Sequence, residues 1–134
     1  MTRLIDEMKK PIQALIFDMD GTLIDSMPCH ARSWVEFCRR HAVKMDVYDL
    51  MRLTTGRTGA QCLRALFQRD VPASEALGLI HEKETIYRAL FAPVFSEVAG
   101  FKAFSEQAVA TGLKVGVGTE GDRHNTAFAM SRLN

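Results

Sequence analysis

The stretch ALIFDMDGTLIDS, residues 14–26, decides the fold. Its apolar run at 14–17 lacks the alternation of a half-exposed strand, which predicts a strand buried on both faces in a parallel sheet. Asp18 and Asp20 follow at once. Side chains at i and i+2 of an extended segment share a face, so the two carboxylates would repel each other. A hard cation such as Mg²⁺ would relieve that repulsion, so the stretch predicts a ligand site at a strand's carboxyl end.

The acidic turn allows two other interpretations. A calcium loop of the EF-hand type needs a glutamate at its twelfth position, and the two possible registers supply Cys29 or Met27 there instead. A surface turn that merely contains acids is the simpler alternative. The short pattern Asp-x-Asp-Gly does not separate that alternative from a metal site.

Length, composition and charge limit the functional classes. The chain has 134 residues, of which 47% are hydrophobic, enough for one compact domain or a small core with an insertion. The chain has seventeen basic and sixteen acidic residues. This near balance argues against nucleic-acid and anionic-membrane partners, because both select for an excess of basic residues. The first ten residues, MTRLIDEMKK, do not resemble a signal peptide. Three cysteines with no framework spacing predict free thiols and a cytoplasmic protein.

Residues 28–91 carry helical patterns and no strand signal. The first helix has apolar residues at i, i+3, i+4 and i+7, and Asp46 is expected to cap the second. Ser74 is expected to cap the fourth. The residues expected to face inward are Ala31, Trp34, Val35 and Cys38 in the first helix, Leu63, Leu66 and Phe67 in the third, and Leu77, Ile80, Tyr87 and Phe91 in the fourth.

The pattern changes after Pro93. Gly100 and Gly112 bound a helix that carries Phe104, Ala108 and Val109. LKVGVGT at 113–119 predicts a second strand, and 123–133 predicts a last helix. Two parallel strands separated by a helical excursion indicate an α/β core with an inserted helical cap. The predicted segments are 1–27 for the first part of the core, 28–91 for the cap and 92–134 for the second part of the core.

Three stretches together resemble a known family. DMDGTLIDS (18–26) matches every defined position of the first motif of the haloacid dehalogenase (HAD) superfamily of phosphotransferases, D-x-D-G-T-L-x-D-S. DSMPCHARSW (25–34) looks like the start of the cap in the β-phosphoglucomutase-like branch, with His30 and Trp34 at matching positions. GLKVGVGTEGDRHN (112–125) is similar to the second motif. The resemblance implies a Rossmann-like core.

The resemblance also implies roles for the site residues. Asp18 would be the nucleophile that forms an aspartyl-phosphate, and Asp20 the general acid and then the base. Asp18 would hold Mg²⁺, and the backbone carbonyl of Asp20 would bind it as well. The Thr119 hydroxyl and the backbone N–H groups of Glu120 and Gly121 would bind phosphate. The implied activity is that of a phosphatase or phosphomutase acting on a small phosphorylated metabolite, with a sugar phosphate the leading candidate.

Other polar residues allow two interpretations each. His30 would point toward the site by resemblance, or is a surface histidine at a helix start. Arg57, in the glycine-rich loop TTGRTG, could bind a phosphate or a sugar hydroxyl bidentately, or is a solvated charge. Trp34 is expected to pack in the core. Asp25 is expected to cap the first cap helix.

The sequence departs from the family downstream of Thr119. The family's third motif is a lysine and its fourth an acidic pair, but only fifteen residues follow Thr119 and none is lysine. Lys114 lies at the wrong end of its strand, and Lys102 is a weak substitute. We therefore expect the N-terminal part of a longer phosphatase-like protein. The alternative is a catalytically inactive interaction or regulatory module. In either case, we expect an exposed sheet edge that favours self-association.

Overall fold

The computed structural model describes residues 11–133, so residues 1–10 of the predicted first core segment and Asn134 lie outside the described residues. The elements follow the order strand, four helices, helix, strand, helix. They are β1 (Ala14–Phe17), α1 (Met27–Arg40), α2 (Val47–Thr54), α3 (Gly59–Phe67), α4 (Ala73–Phe91), α5 (Phe101–Ala110), β2 (Lys114–Val117) and α6 (Arg123–Met130).

The chain forms two compact units. One consists of Ser26–Ser96 and contains the helices α1 to α4, including the predicted cap range 28–91. The other is built from the residues on either side of that segment, and it contains both strands together with α5 and α6. Each unit is described below by itself, as the core unit and the helical unit.

The core unit is built on a parallel pair of strands. β1 pairs with β2 in a register that runs from Ala14 opposite Lys114 to Phe17 opposite Val117. Helix α5 packs on one face, where the Phe17 ring meets Phe101 and Phe104 edge to face, with centroids 5.4 and 6.0 Å apart. The α/β fold class with two parallel strands is thus confirmed.

The prediction that β1 is buried on both faces is wrong for the described residues. Leu15 and Phe17 are half-buried, but Ala14 is exposed and Ile16 keeps 78% of its surface in solvent. Side chains alternate along a strand, so α5 shields the odd-numbered residues alone. The partner of Ile16 in the register is Gly116, which adds no side chain to the open face.

The helical unit encloses its own apolar core between α1 and the other three helices. Trp34 is buried there, as expected, and its ring lies edge to face with Phe37 at 5.5 Å. The buried residues of this core are Trp34, Phe37, Cys38, Leu50, Cys62, Leu63, Leu66, Ala76 and Ile86. Cys29, Cys38 and Cys62 are all buried free thiols.

Of the three predicted helix caps, one is confirmed and two are wrong. Asp46 caps α2 as expected, accepting a hydrogen bond from the Tyr48 N–H at 2.8 Å. The predicted cap at Ser74 is wrong, because α4 begins at Ala73 with Pro72 in the N-cap position. The predicted cap at Asp25 is also wrong: α1 begins at Met27, and Ser26 holds its N-cap position without a side-chain cap bond.

Two residues predicted to face inward lie outside. Val35 is 38% exposed and Leu77 is 71% exposed, whereas Phe37 is fully buried. A helix turns by about 100° per residue, so the stripe that contacts the core in α1 runs through positions 34, 37 and 38 and leaves 35 at its margin. Within residues 11–133, no helix is both long enough and apolar enough to span a membrane.

We predict that Phe37→Ala lowers the free energy of unfolding by about 3–5 kcal/mol, because it empties a large fully buried site. The matched control is Val35→Ala on the same helix, whose half-open side chain should cost well under 1 kcal/mol. Urea denaturation followed by circular dichroism measures both changes. Equal losses for the two variants would contradict the assignment of the core-facing stripe.

Candidate active site

Two acids lie at the carboxyl end of β1. Asp18 is exposed, Met19 is fully buried at a bend in the chain, and Asp20 is half-buried. The buried methionine therefore anchors the segment between the two carboxylates. The arrangement gives Asp18 access to solvent while Asp20 lies closer to protein atoms.

A tight turn follows and fixes the position of these acids. Gly21 adopts a left-handed conformation (φ 74°), which favours glycine. Its N–H donates to the Ile24 carbonyl at 2.9 Å, and the Met19 carbonyl accepts from the Leu23 N–H at 2.9 Å. The turn is tied to the rest of the core unit where the Val98 N–H donates to the Leu23 carbonyl, also at 2.9 Å.

A second loop leaves the sheet beside the first. The Gly118 N–H donates to the Phe17 carbonyl at 2.8 Å, so the chain is still paired with β1 one residue after β2 ends. Thr119 was expected to end the strand and instead follows it, in the loop. Its Oγ1 accepts a hydrogen bond from the Gly121 N–H at 2.9 Å.

The two loops meet at Gly121. A Cβ atom built on Gly121 would lie 3.1 Å from Thr119 Oγ1, 3.1 Å from Met19 Cε and 3.8 Å from Asp20 Oδ2. The fold therefore brings Asp20, Thr119 and Gly121 together, although more than ninety residues separate them in the sequence. Glu120 lies in the same loop and is exposed.

Helix α6 begins just after this loop. Asp122 is its N-cap residue, and its carboxylate accepts from the Asn125 N–H at 2.7 Å. The first turn of the helix is thus capped by the protein's own carboxylate. Of the two loop N–H groups expected to bind phosphate, that of Gly121 donates to Thr119 Oγ1 in this structure, and that of Glu120 lies in the same loop before the helix.

The donor set at this site suits magnesium. Mg²⁺ is commonly held by one or two carboxylates, with a substrate phosphate and waters completing the octahedron. Asp18 and Asp20 supply that number of carboxylates at one strand end. Residues 11–133 contain no cluster of three or more His, Cys, Asp or Glu side chains placed to bind a metal, so a cage made wholly of such side chains is absent from this range.

The predicted cap residues lie in the helical unit. His30 is half-buried in the first turn of α1, where its ring stacks on Tyr87 with centroids 3.7 Å apart and an angle of 8°. Arg57 is exposed in the loop between α2 and α3. It lines two open cavities of about 750 and 720 Å³, the first of which also presents Arg64 and Arg69.

Sequence analysis missed Lys83. It is 3% exposed, and its Nζ lies 2.9 Å from His30 Nδ1. The signal was present in the spacing, because Ile80, Lys83 and Tyr87 follow each other at helical intervals on the inward face of α4. Of the two lysines that were considered, Lys114 pairs with Ala14 at the opposite end of the sheet from Asp18, and Lys102 is exposed on α5.

Comparison with known proteins identifies the class. Residues 12–134 match the model of the haloacid dehalogenase-like hydrolases, and the chain belongs to that family of hydrolases. This confirms the resemblance carried by the three motifs.

Individual proteins of known name resemble this chain in sequence or in structure. Fructose-1-phosphate phosphatase YqaB of Escherichia coli (strain K12) is 29% identical over 106 residues, which cover 73% of this chain and 55% of the relative. The crystal structure of a HAD hydrolase, family IA, variant 3, from Entamoeba histolytica superposes with a TM-score of 0.82 at 25% identity, covering 90% of this chain and 55% of that one.

A putative β-phosphoglucomutase from Bacteroides vulgatus shares the fold. It superposes with a TM-score of 0.71 at 23% identity, and the match covers 98% of this chain and 56% of the Bacteroides vulgatus protein. The chain therefore spans about half the length of the relatives that it matches over most of its residues.

We predict that Asp122→Ala destabilises the core unit by about 1 kcal/mol, because α6 loses its N-cap bond to the Asn125 N–H. Asp122→Asn is the matched control, since asparagine caps helices about as well as aspartate. Chemical denaturation with a probe in the core unit, such as amide exchange of α6, reports the difference. If both variants lost the same stability, charge rather than capping would explain the role of Asp122.

Proposed function

We propose that this chain carries the nucleophile and the phosphate-binding loop of a Mg²⁺-dependent phosphohydrolase. The observation that supports it best is the meeting of the two loops. Asp20 Oδ2 lies 3.8 Å from the position that a Cβ atom would occupy on Gly121. The Gly121 N–H donates a hydrogen bond to Thr119 Oγ1. A phosphate bound to the loop N–H groups would sit beside both acids.

The proposed reaction proceeds in two displacements. The Asp18 carboxylate attacks phosphorus and forms an acyl phosphate, while the P–O bond to the alcohol breaks and Asp20 donates a proton to the leaving oxygen. Water then attacks the acyl phosphate, Asp20 takes its proton, and inorganic phosphate and the Asp18 carboxylate are released. In a phosphomutase, a second hydroxyl group would replace this water.

The cation would be held by the Asp18 carboxylate and the backbone carbonyl of Asp20, which leaves the Asp20 carboxyl group for proton transfer. When bound, Mg²⁺ neutralises charge on the transferring phosphoryl group and so lowers the repulsion between that group and the carboxylates. The Thr119 hydroxyl would hold a phosphate oxygen at the same time.

The substrate is proposed to be a small phosphorylated metabolite, and a sugar phosphate is the leading candidate. Two curated relatives are named as phosphatases of this kind, fructose-1-phosphate phosphatase and hexitol phosphatase A, the second 33% identical over 52 residues. In the helical unit, Arg57 and its neighbouring arginines offer a polar surface for a phosphate or hydroxyl group, and His30 offers a ring nitrogen. We place the reaction in the cytoplasm because the three cysteines are free thiols.

An inactive interaction or regulatory module was the alternative. Its support was the missing lysine and acidic pair downstream of Thr119. Two curated relatives are named as phosphatases, which favours the enzyme. A turnover measurement on the intact parent protein would separate the two, because the 134-residue chain alone is expected to turn over ~10²-fold or more slowly in either case.

We predict that the intact parent of this chain hydrolyses an aryl phosphate in the presence of Mg²⁺ and that Asp18→Asn reduces the rate to background, because the amide oxygen is a poor nucleophile. Asp25→Asn is the control, since Asp25 is exposed and lies outside the pair of loops that meet at Gly121. Release of inorganic phosphate is the measurement. An Asp18→Asn variant with the parent's rate would disprove the nucleophile assignment.

We also propose that the open edge of β1 pairs with a second copy of the chain. Gln13 and Phe17 direct their carbonyl groups to β2, so the intervening even-numbered residues direct theirs outward. That edge carries no charged residue between Ile12 and Phe17, and therefore lacks the usual protection against strand pairing. An antiparallel pair centred on Ala14 would set Ile12 opposite Ile16 of the second copy.

Sedimentation at several concentrations tests this pairing. We expect a concentration-dependent increase in mass that Ile16→Lys abolishes, because the substitution puts a charge on the pairing edge. Val109→Lys alters another exposed apolar residue, on α5, and should leave the association unchanged. A chain that stays monomeric throughout, or associates regardless of Ile16→Lys, would refute the proposal.

A further inference from the structure

Gly121 lies where the two loops of the core unit meet, and its missing side chain leaves space that is already narrow. A Cβ atom built on it would lie 3.1 Å from Met19 Cε and 3.1 Å from Thr119 Oγ1. Non-bonded carbon atoms prefer separations of about 3.5–4.0 Å, so an added methyl group would have to displace one of these neighbours. The mechanism proposed above gives this lack of a side chain no role.

Backbone conformation does not explain the glycine. The glycines with left-handed φ angles are Gly21, Gly56, Gly100 and Gly112, and Gly121 is not among them. Conformational freedom favours glycine at positive φ, where other residues are strained. The constraint at Gly121 is therefore the space around it.

The N–H of Gly121 has a defined partner, the Thr119 hydroxyl, to which it donates at 2.9 Å. A threonine hydroxyl has one hydrogen to donate and accepts hydrogen bonds at its lone pairs. Because Oγ1 accepts on the side that faces Gly121, its own hydrogen must point in another direction. The bond thus restricts both the rotamer of Thr119 and the direction in which its hydroxyl group can donate.

The surroundings of this pair leave little room for adjustment. Met19 is fully buried, so its side chain packs against protein atoms on all sides. The loop that carries Thr119 is tied at both ends, by the bond from the Gly118 N–H to the Phe17 carbonyl and by the N-cap bond of Asp122. An added Cβ would therefore move the Thr119 side chain before it moved the loop.

We propose that Gly121 is a positioning residue for Thr119. Its N–H orients the Thr119 hydroxyl, and its lack of a side chain leaves room for that bond beside Met19. The orientation depends on the geometry of the core unit alone. The further step rests on the proposed function: the Thr119 hydroxyl hydrogen and the Glu120 N–H serve the phosphate oxygens, while the Gly121 N–H stays bonded to Thr119.

NMR of the 134-residue chain tests the orientation without any need for activity. The three-bond Hα–Hβ coupling of Thr119 should report a single χ1 rotamer in the unsubstituted chain. Gly121→Ala should average this coupling over several rotamers, whereas Gly118→Ala should leave it unchanged. Gly118 is the matched control, because its added Cβ would press on Ile16 Cγ2 at 3.1 Å, and the Ile16 side chain is largely exposed and has room to move. An averaged Thr119 in the unsubstituted chain, or a coupling that Gly121→Ala leaves unchanged, would overturn the proposal.

Amide exchange tests the hydrogen bond itself and does not require Gly121→Ala to fold. Thr119→Val removes the acceptor oxygen from a side chain of nearly the same shape, so the Gly121 N–H should exchange about fivefold faster. Thr119→Ser keeps the oxygen and should stay within about twofold of the unsubstituted chain. Equal exchange rates in all three proteins would show that Thr119 does not hold the Gly121 N–H, and the proposal would fail.

The functional step is measured as aryl phosphate turnover by the intact parent protein. Gly121→Ala should lower kcat/KM about tenfold, because a displaced substrate-binding group slows the reaction, and Gly118→Ala should stay within about twofold. In a Thr119→Val background, Gly121→Ala should cost little more, since it acts through a hydroxyl group that is already removed. A full further loss in that background would show that Gly121 does not act through Thr119. Inactivity of the unsubstituted parent would count against the proposed function, while the NMR measurements would still decide the orientation of Thr119.

Discussion

Parallel pairing of β1 with β2 is the interaction on which the core unit depends. Parallel strands end at the same edge of a sheet, so the loops that follow them are neighbours whatever their separation along the chain. The bond from the Gly118 N–H to the Phe17 carbonyl extends the pairing past the last residue of β2. Asp20 and Gly121 meet for that reason, and a register shift would separate them.

The same pairing explains why the site can tolerate its charge. Met19 is fully buried at a bend between the two acids, and Asp18 is exposed to solvent. The turn bonds to the Met19 carbonyl then fix Asp20. An exposed carboxylate and a half-buried one at a strand end are donors of the type that a hard cation such as Mg²⁺ takes in proteins.

The helical unit holds a different kind of polar site. Its core is apolar around Phe37 and Leu63, yet a lysine is buried on α4 beside a histidine, a glutamate and two aromatic rings. Such a charge is tolerated because each surrounding group stabilises it. The His30 ring lies flat on Tyr87, a residue of another helix.

The sequence by itself determined the class of fold, the two strands and the first-motif acids, because those features depend on local order: an apolar run, a glycine turn and residues at fixed spacing. It also located Asp46 as a cap. Tertiary structure decided the rest. Neither the exposure of Ile16 nor the burial of Lys83 is encoded locally, since each depends on which element packs against the residue. The contact of Gly121 with Asp20 likewise depends on strand register, a property of two segments that lie far apart in the chain.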